Sequence, residues 1–121
     1  MAAFEAYKEM NFYQLSLELV DLTYEVIKSF PQEERFCLAD QMRRSSTSVP
    51  SNIAEGAGRD TVKQFIQFLS NAKGSLNELE TQYDIVERRG YVDRESISKA
   101  REIITQISKS MWGFRKWIQN K

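Results

Sequence analysis

The chain contains no histidine and one cysteine, Cys37, among 121 residues. Without imidazole, neither a thiol nor a hydroxyl has the usual base beside it. The Glu-x-x-His pattern that completes paired-metal sites in helical bundles is missing as well. A lone cysteine forms no intrachain disulfide, which fits a reducing compartment. Two prolines and five glycines leave little room for turn-rich folds, and abundant Leu, Glu, Lys, Ile and Gln favour helix. No apolar run approaches the roughly 18 residues of a membrane span. The N-terminal Met1-Ala2-Ala3-Phe4-Glu5 also lacks the apolar region of a cleavable leader. These absences point to a cytoplasmic protein with no membrane role.

Net charge is also lacking, since 17 basic and 17 acidic residues balance and the isoelectric point is 6.3. The balance hides a segregation: residues 1 to 40 hold eight acids and three bases, residues 41 to 121 nine acids and fourteen bases. In the last segment Lys99, Arg101, Lys109, Arg115, Lys116 and Lys121 face only Glu102, so a basic strip is expected there.

What the chain does have is periodicity. Phe12, Leu15, Leu19, Leu22 and Val26 step by three and four along a first helix, with Asn11 as its expected N-cap. Phe30-Pro31 ends it. Pro31 is expected to open a second helix, with Gln32-Glu33-Glu34 as its acidic first turn. Thr61 and Gln64 make a capping box for a third helix carrying Val62, Phe65, Leu69, Ala72, Leu76, Leu79, Tyr83 and Val86. Gly90 stops it in a Schellman ending. Asp93 caps a fourth, with Ile97, Ala100, Ile104, Ile107, Met111, Phe114 and Ile118 on its seam. Short connections and matched lengths predict an all-α, up-and-down antiparallel four-helix bundle made of one domain, residues 1–121.

The most distinctive stretch runs from Gln41 to Arg59, where Leu38, Met42, Val49 and Ile53 keep one apolar stripe running through Pro50. This predicts one kinked helix. Its proline removes a backbone donor and clashes with the carbonyl of Ser46, so nearby serine hydroxyls or the Asn52 amide are expected to take up that carbonyl. Gln41, Arg44, Ser48, Asn52, Glu55 and Arg59 form a polar ridge beside the stripe. On the third helix, Gly74 and Ser75 remove bulk and suggest close approach of the kinked helix. Arg44 or Arg59 is then expected to pair with Glu78 or Glu80. Catalysis by Glu55, Glu78 and Glu80 would need opposed carboxylate environments. Gly56 and Gly58 follow no strand and lead into no Gly-Lys-Thr/Ser ending, so they make no nucleotide loop. The residues indicate neither an enzyme nor a cofactor or metal.

Arg43-Arg44, Ser48-Val49-Pro50-Ser51-Asn52-Ile53-Ala54-Glu55-Gly56 and Gly58-Arg59, followed by Gly74-Ser75-Leu76-Asn77-Glu78-Leu79-Glu80-Thr81, closely resemble the 23S rRNA-intervening-sequence protein family, also called four helix bundle proteins. The likeness covers nearly the whole chain. Ser45 and Ser46 depart from it, standing where the family usually has small apolar residues. The resemblance implies a small bacterial cytoplasmic bundle of undefined activity that assembles as a ring-shaped homopentamer. It extends to the accessory variability protein of diversity-generating retroelements, a basic pentameric barrel that binds nucleic acid and a reverse transcriptase.

Surplus apolar residues agree with self-association. The first helix has a second stripe, Tyr13, Leu17, Val20, Tyr24 and Ile27, and Trp112 and Trp117 lie outside the fourth-helix seam. Two functions compete. In one, a homo-oligomer contacts RNA or DNA through Arg43, Arg44, Arg59, Lys63, Lys73, Lys109, Arg115 and Lys116. In the other, the oligomer is a scaffold for a partner protein and nucleic acid has no role.

Overall fold

A computed structural model describes residues 2–120, and of these the side chains from Ala6 onward. The four expected helices are present as α1 (Asn11–Ile27), α2 (Leu38–Ala57), α3 (Val62–Arg89) and α4 (Arg94–Gln119), and no strand occurs among the described residues. Each helix packs on two neighbours, α1 on α2 and α4, α3 on α2 and α4, which makes a square antiparallel bundle. The α3/α4 edge therefore lies opposite the α1/α2 edge. A 3-10 helix over Ala2–Glu9 precedes α1 and lies against α1 and α2.

The ends of α3 and α4 follow from their sequence. Thr61 accepts from the Gln64 N–H while the Gln64 side chain accepts from the Thr61 N–H, giving the full capping box. At the other end Gly90 adopts φ +69°, and Tyr91 N–H and Gly90 N–H bond to the carbonyls of Val86 and Glu87, the two bonds of a Schellman motif. The Asp93 carboxylate accepts from the Ser96 N–H at 2.8 Å, and hydrogen bonding to Ser96 holds its pKa below the usual carboxylate value.

The other two starts differ from expectation. Met10, not Asn11, is the N-cap of α1, and no side chain caps it. The Gln14 side chain donates instead to the carbonyl of Lys8, within the preceding 3-10 segment. Pro31 does not open α2: Gln32–Glu34 form a separate 3-10 turn and α2 begins at Leu38, because Cys37 breaks the run with φ −117° and ψ −100°. Glu34 is held in that turn by the Tyr91 hydroxyl at 2.8 Å.

The core is continuous from Phe12 to Ile118 and includes Leu19, Met42, Ile53, Phe65, Leu76, Tyr83 and Ile107. Two buried hydrogen bonds cross it. The Tyr83 hydroxyl of α3 meets the Thr23 hydroxyl of α1 at 2.8 Å, and Ser45 of α2 donates to Gln82 of α3 at 2.6 Å. No buried side-chain polar atom among the described residues lacks a partner, which satisfies the demand that a dry interior makes on polar groups.

Candidate nucleic-acid interface

The polar ridge of α2 is built first by its proline. α2 stays helical through Pro50, which is buried. Around it, hydroxyls and an amide bond back to carbonyls: Thr47 to Arg43 at 2.9 Å, Ser51 to Thr47 at 2.8 Å and Asn52 to Ser48 at 2.8 Å. These bonds fall on the carbonyls of Arg43, Thr47 and Ser48 rather than on that of Ser46, because the three-to-four-residue reach of each side chain fixes its target. The Ser48 hydroxyl meets Ser75 of α3 at 2.7 Å.

The charged members of the ridge are occupied by acids one turn earlier in the chain. Arg44 pairs with Asp40 at 2.6 Å and Arg59 with Glu55 at 2.9 Å, both four residues apart, and Arg43 lies 3.9 Å from Asp40. The expected pairing of Arg44 or Arg59 with Glu78 or Glu80 is therefore corrected: among the described residues neither glutamate forms an ion pair. An acid one turn N-terminal is a nearer partner than one across the interface. Arg59 also lies over the Phe68 ring, 4.6 Å from its centroid.

The glycines exchange roles. Gly74 is exposed, and a Cβ there would meet nothing within 4 Å, so it does not mark close approach. Gly56 does: a Cβ would lie 2.7 Å from Phe68 Cβ and 2.9 Å from Phe65 Cδ1. Bare backbone at Gly56 lets α2 and α3 approach closely, and Gly56, Pro50, Asn52 and Ser75 are thereby structural members of one seam.

The α3/α4 edge has a different chemistry. Residues 61–77 of the chain and residues 103–121 contain no acid, yet they hold Lys63, Lys73, Lys109, Arg115, Lys116 and Lys121. Antiparallel packing places these halves side by side, and Lys73 donates to the Ser108 hydroxyl across the boundary at 3.0 Å. Lys121 lies outside the described residues. Between the helices is a groove of about 300 Å³ lined by Leu69, Ser70, Lys73, Met111, Trp112 and Arg115, with Ser108 at its rim. Lys63 and Lys109 are exposed nearby. Toward the other end of the same edge Arg101 binds Glu87 and Asp84 at 2.8 and 2.9 Å, which lowers the Glu87 pKa and raises that of Arg101. The edge thus runs from neutralised charge to unpaired cations. Ser70 and Ser108 are not marked by the sequence, and Met111 only as a core-seam residue; the signal for the groove is the missing acids in two distant halves, visible only when those halves are set side by side.

The apolar candidates divide. Ile27 is 8% exposed and belongs to the core, so it is no interface residue; a broad core face accounts for it. Tyr13 is half-buried and packs edge-on against Tyr7 at 5.1 Å, and Val20 is half-buried. Leu17 and Tyr24 remain open at 37% and 41% exposure. Trp117 is half exposed and lies beside Phe114 at 5.9 Å, whereas Trp112, 60% exposed, lines the basic groove. Among the described residues no helix is long and apolar enough to cross a membrane, and no cluster of acids or Cys37 has metal-site geometry.

A family model described as 23S rRNA-intervening sequence protein matches residues 8–113. A crystal structure of a protein of unknown function from the S23 ribosomal protein family of Bacteroides thetaiotaomicron superposes with a TM-score of 0.79 at 27% identity, covering 87% of this chain and 98% of the other. No curated protein matches the sequence.

Proposed function

We propose that this chain, which belongs to the 23S rRNA-intervening sequence protein family, is a non-enzymatic homo-oligomer that binds the phosphate backbone of RNA or DNA through the acid-free half of its α3/α4 edge. The observation that carries the reading is the separation of charge: Lys73, Lys109, Arg115 and Lys116 gather where no carboxylate belongs to either helix half. A neutral chain can present a phosphate-binding face when its charges are sorted by face rather than spread evenly. Arg43 and Arg44 on α2 and Arg59 just past its end, each beside an acid of that helix, contribute little to that face.

Assembly multiplies the face. Leu17 and Tyr24 offer α1 as the surface that joins copies, and the pentamer implied by the family resemblance would repeat the basic edge around a ring. The absence of histidine, together with Glu55 held by Arg59, supports a binding role over acid-base chemistry.

The test is binding of RNA fragments and duplex DNA across a salt series. Each neutralised phosphate contributes a slope of about −0.7 to −0.9 in log K against log salt, so the four cations Lys73, Lys109, Arg115 and Lys116 of the edge predict a slope of roughly −3 per protomer. Lys73→Gln with Arg115→Gln should flatten it. No salt-sensitive binding at low micromolar protein overturns the nucleic-acid reading; recovery of one specific protein from nuclease-treated host extract would then support a scaffold. Light scattering during gel filtration, with and without nuclease, tests assembly, which a single-chain mass at every concentration overturns.

A further inference from the structure

We infer that the groove between α3 and α4 is a subsite for one unpaired base of a single-stranded nucleic acid, stacked on Trp112 with Lys73 and Arg115 against the flanking phosphates. The inference rests on the nucleic-acid reading above and deepens it by naming the state of the strand. Three observations carry it. Leu69 and Met111 give the groove a buried apolar floor, while Lys73, Arg115 and the Ser108 hydroxyl make its rim polar and cationic. Its volume of about 300 Å³ is at the small end of the ~300–1,000 Å³ typical of small-molecule sites. Trp112 stands at its edge with 60% of its surface in water and with Lys116 Nζ 5.7 Å from the ring centroid.

The chemistry of the rim selects the occupant. An apolar peptide or the apolar flank of a second copy would cover Lys73 and Arg115 without supplying counter-charge, and desolvating unpaired cations is costly. A base carries its own phosphates at either side, so one ligand fills the apolar floor and meets the cations. The bases of a duplex are already stacked on each other and cannot turn a face to Trp112. Single strands can, and stacking on an aromatic side chain tolerates any base because every base has a π face. The Ser70 hydroxyl, at the wall of the groove, is placed to read a base edge and add a modest preference.

The experiment uses the full chain carrying Trp117→Phe, which leaves Trp112 as the one tryptophan of the two. Its fluorescence is followed while oligouridylate, oligodeoxythymidylate and a duplex of equal length are added at low salt. Both single strands should quench it. Trp112→Ala should weaken single-strand binding by about 10-fold or more, within the ~5- to 150-fold range of one lost stack, and change duplex binding less than about 2-fold; Trp112→Phe should restore most of the loss. Equal weakening for all three ligands, or none, overturns the inference while leaving salt-sensitive binding and the function above intact. If no ligand binds in any salt, both readings fall. A change in oligomer mass on Trp112→Ala with unaltered single-strand affinity assigns the groove to a second copy and also overturns it.

Discussion

The α2/α3 seam and the α3/α4 edge share a helix but differ in how their polar groups are spent. Along the seam, Ser48 meets Ser75, Asn52 bonds back to Ser48, and Arg44 and Arg59 hold acids one turn away. Along the edge, Lys63 and Lys109 are exposed, Arg115 lines a groove, and Trp112 stands in water. The unusual residues therefore belong to structure: proline, serine and glycine are costly inside a helix and persist where local bonds and close contact offset that cost. A binding face needs the reverse, cations that no acid neutralises and a ring open to solvent, and such groups are ordinary lysines and a tryptophan.

The tightness of the seam is the easier half of the contrast to break. Gly56→Ala puts a methyl 2.7 Å from Phe68 Cβ and 2.9 Å from Phe65 Cδ1. Because Phe68 Cβ is fixed to the α3 backbone, the helices must move apart, and overpacking of this kind costs about 1–3 kcal/mol. Urea unfolding should show a lower midpoint and an unfolding free energy reduced by that amount, with Gly56→Val worse. A midpoint unchanged by alanine would mean that the seam is loose and the contrast wrong.

The interior hydrogen bonds sharpen it through pH. Burial, partly offset by the Thr23 hydrogen bond, pushes the Tyr83 hydroxyl up from 10.0 to about 12. A raised folded-state value means that the folded chain keeps a proton the unfolded chain has released, so stability falls as pH rises. The contribution is intact below pH 10 and is lost between pH 10 and about 12, at a slope of up to about 1.4 kcal/mol per pH unit. Tyr83→Phe should remove that alkaline slope and cost about 1–2 kcal/mol at neutral pH by orphaning Thr23. Thermal melts of both proteins from pH 8 to 12 measure it; equal alkaline slopes would place Tyr83 in water.

How far the sequence carried this picture depended on the range of each signal. The ends of α3 and α4 were legible because capping boxes, Schellman endings and aspartate caps are closed within a few residues. The start of α2 was not, since an acidic turn after Pro31 suits a 3-10 turn as well as an α-helix, and the break at Cys37 has no residue pattern. Ile27 was misplaced because three-four stepping cannot tell a second face from the flank of a wide core. Arg44 and Arg59 do not pair across helices because Asp40 and Glu55, one turn away, are nearer acids. The buried Ser45 hydroxyl finds its short side-chain partner in Gln82, 37 positions on in the chain, beyond the reach of any local pattern.

A smaller effect of opposite sign separates the two glycines named by the motifs. Gly74 lies in mid α3, exposed, with nothing near a would-be Cβ. Gly74→Ala should therefore raise stability by about 0.5–1 kcal/mol, the difference in helix propensity. The same substitution at Gly56 lowers it. If Gly74→Ala instead reduces oligomer mass in light scattering, a second copy lies against that position, and the seam's surroundings extend beyond one chain.

The smallest expected effect concerns the carboxylates of the second motif. Glu78 is exposed and Glu80 half-buried, and neither forms an ion pair among the described residues. Glu78→Gln and Glu80→Gln keep the shape and remove the charge, so stability should stay within about 0.5 kcal/mol, as for surface changes away from special contacts. Oligomer mass should not change either. A loss beyond 1 kcal/mol that appears only in the associated state would mean that these acids meet cations of a neighbouring copy. The lysines and arginines of the α3/α4 edge would then be spent on assembly, and phosphate binding should fall as the oligomer forms. Measuring both variants across a dilution series separates these outcomes, because a contact within the chain is indifferent to concentration and a contact between copies is not.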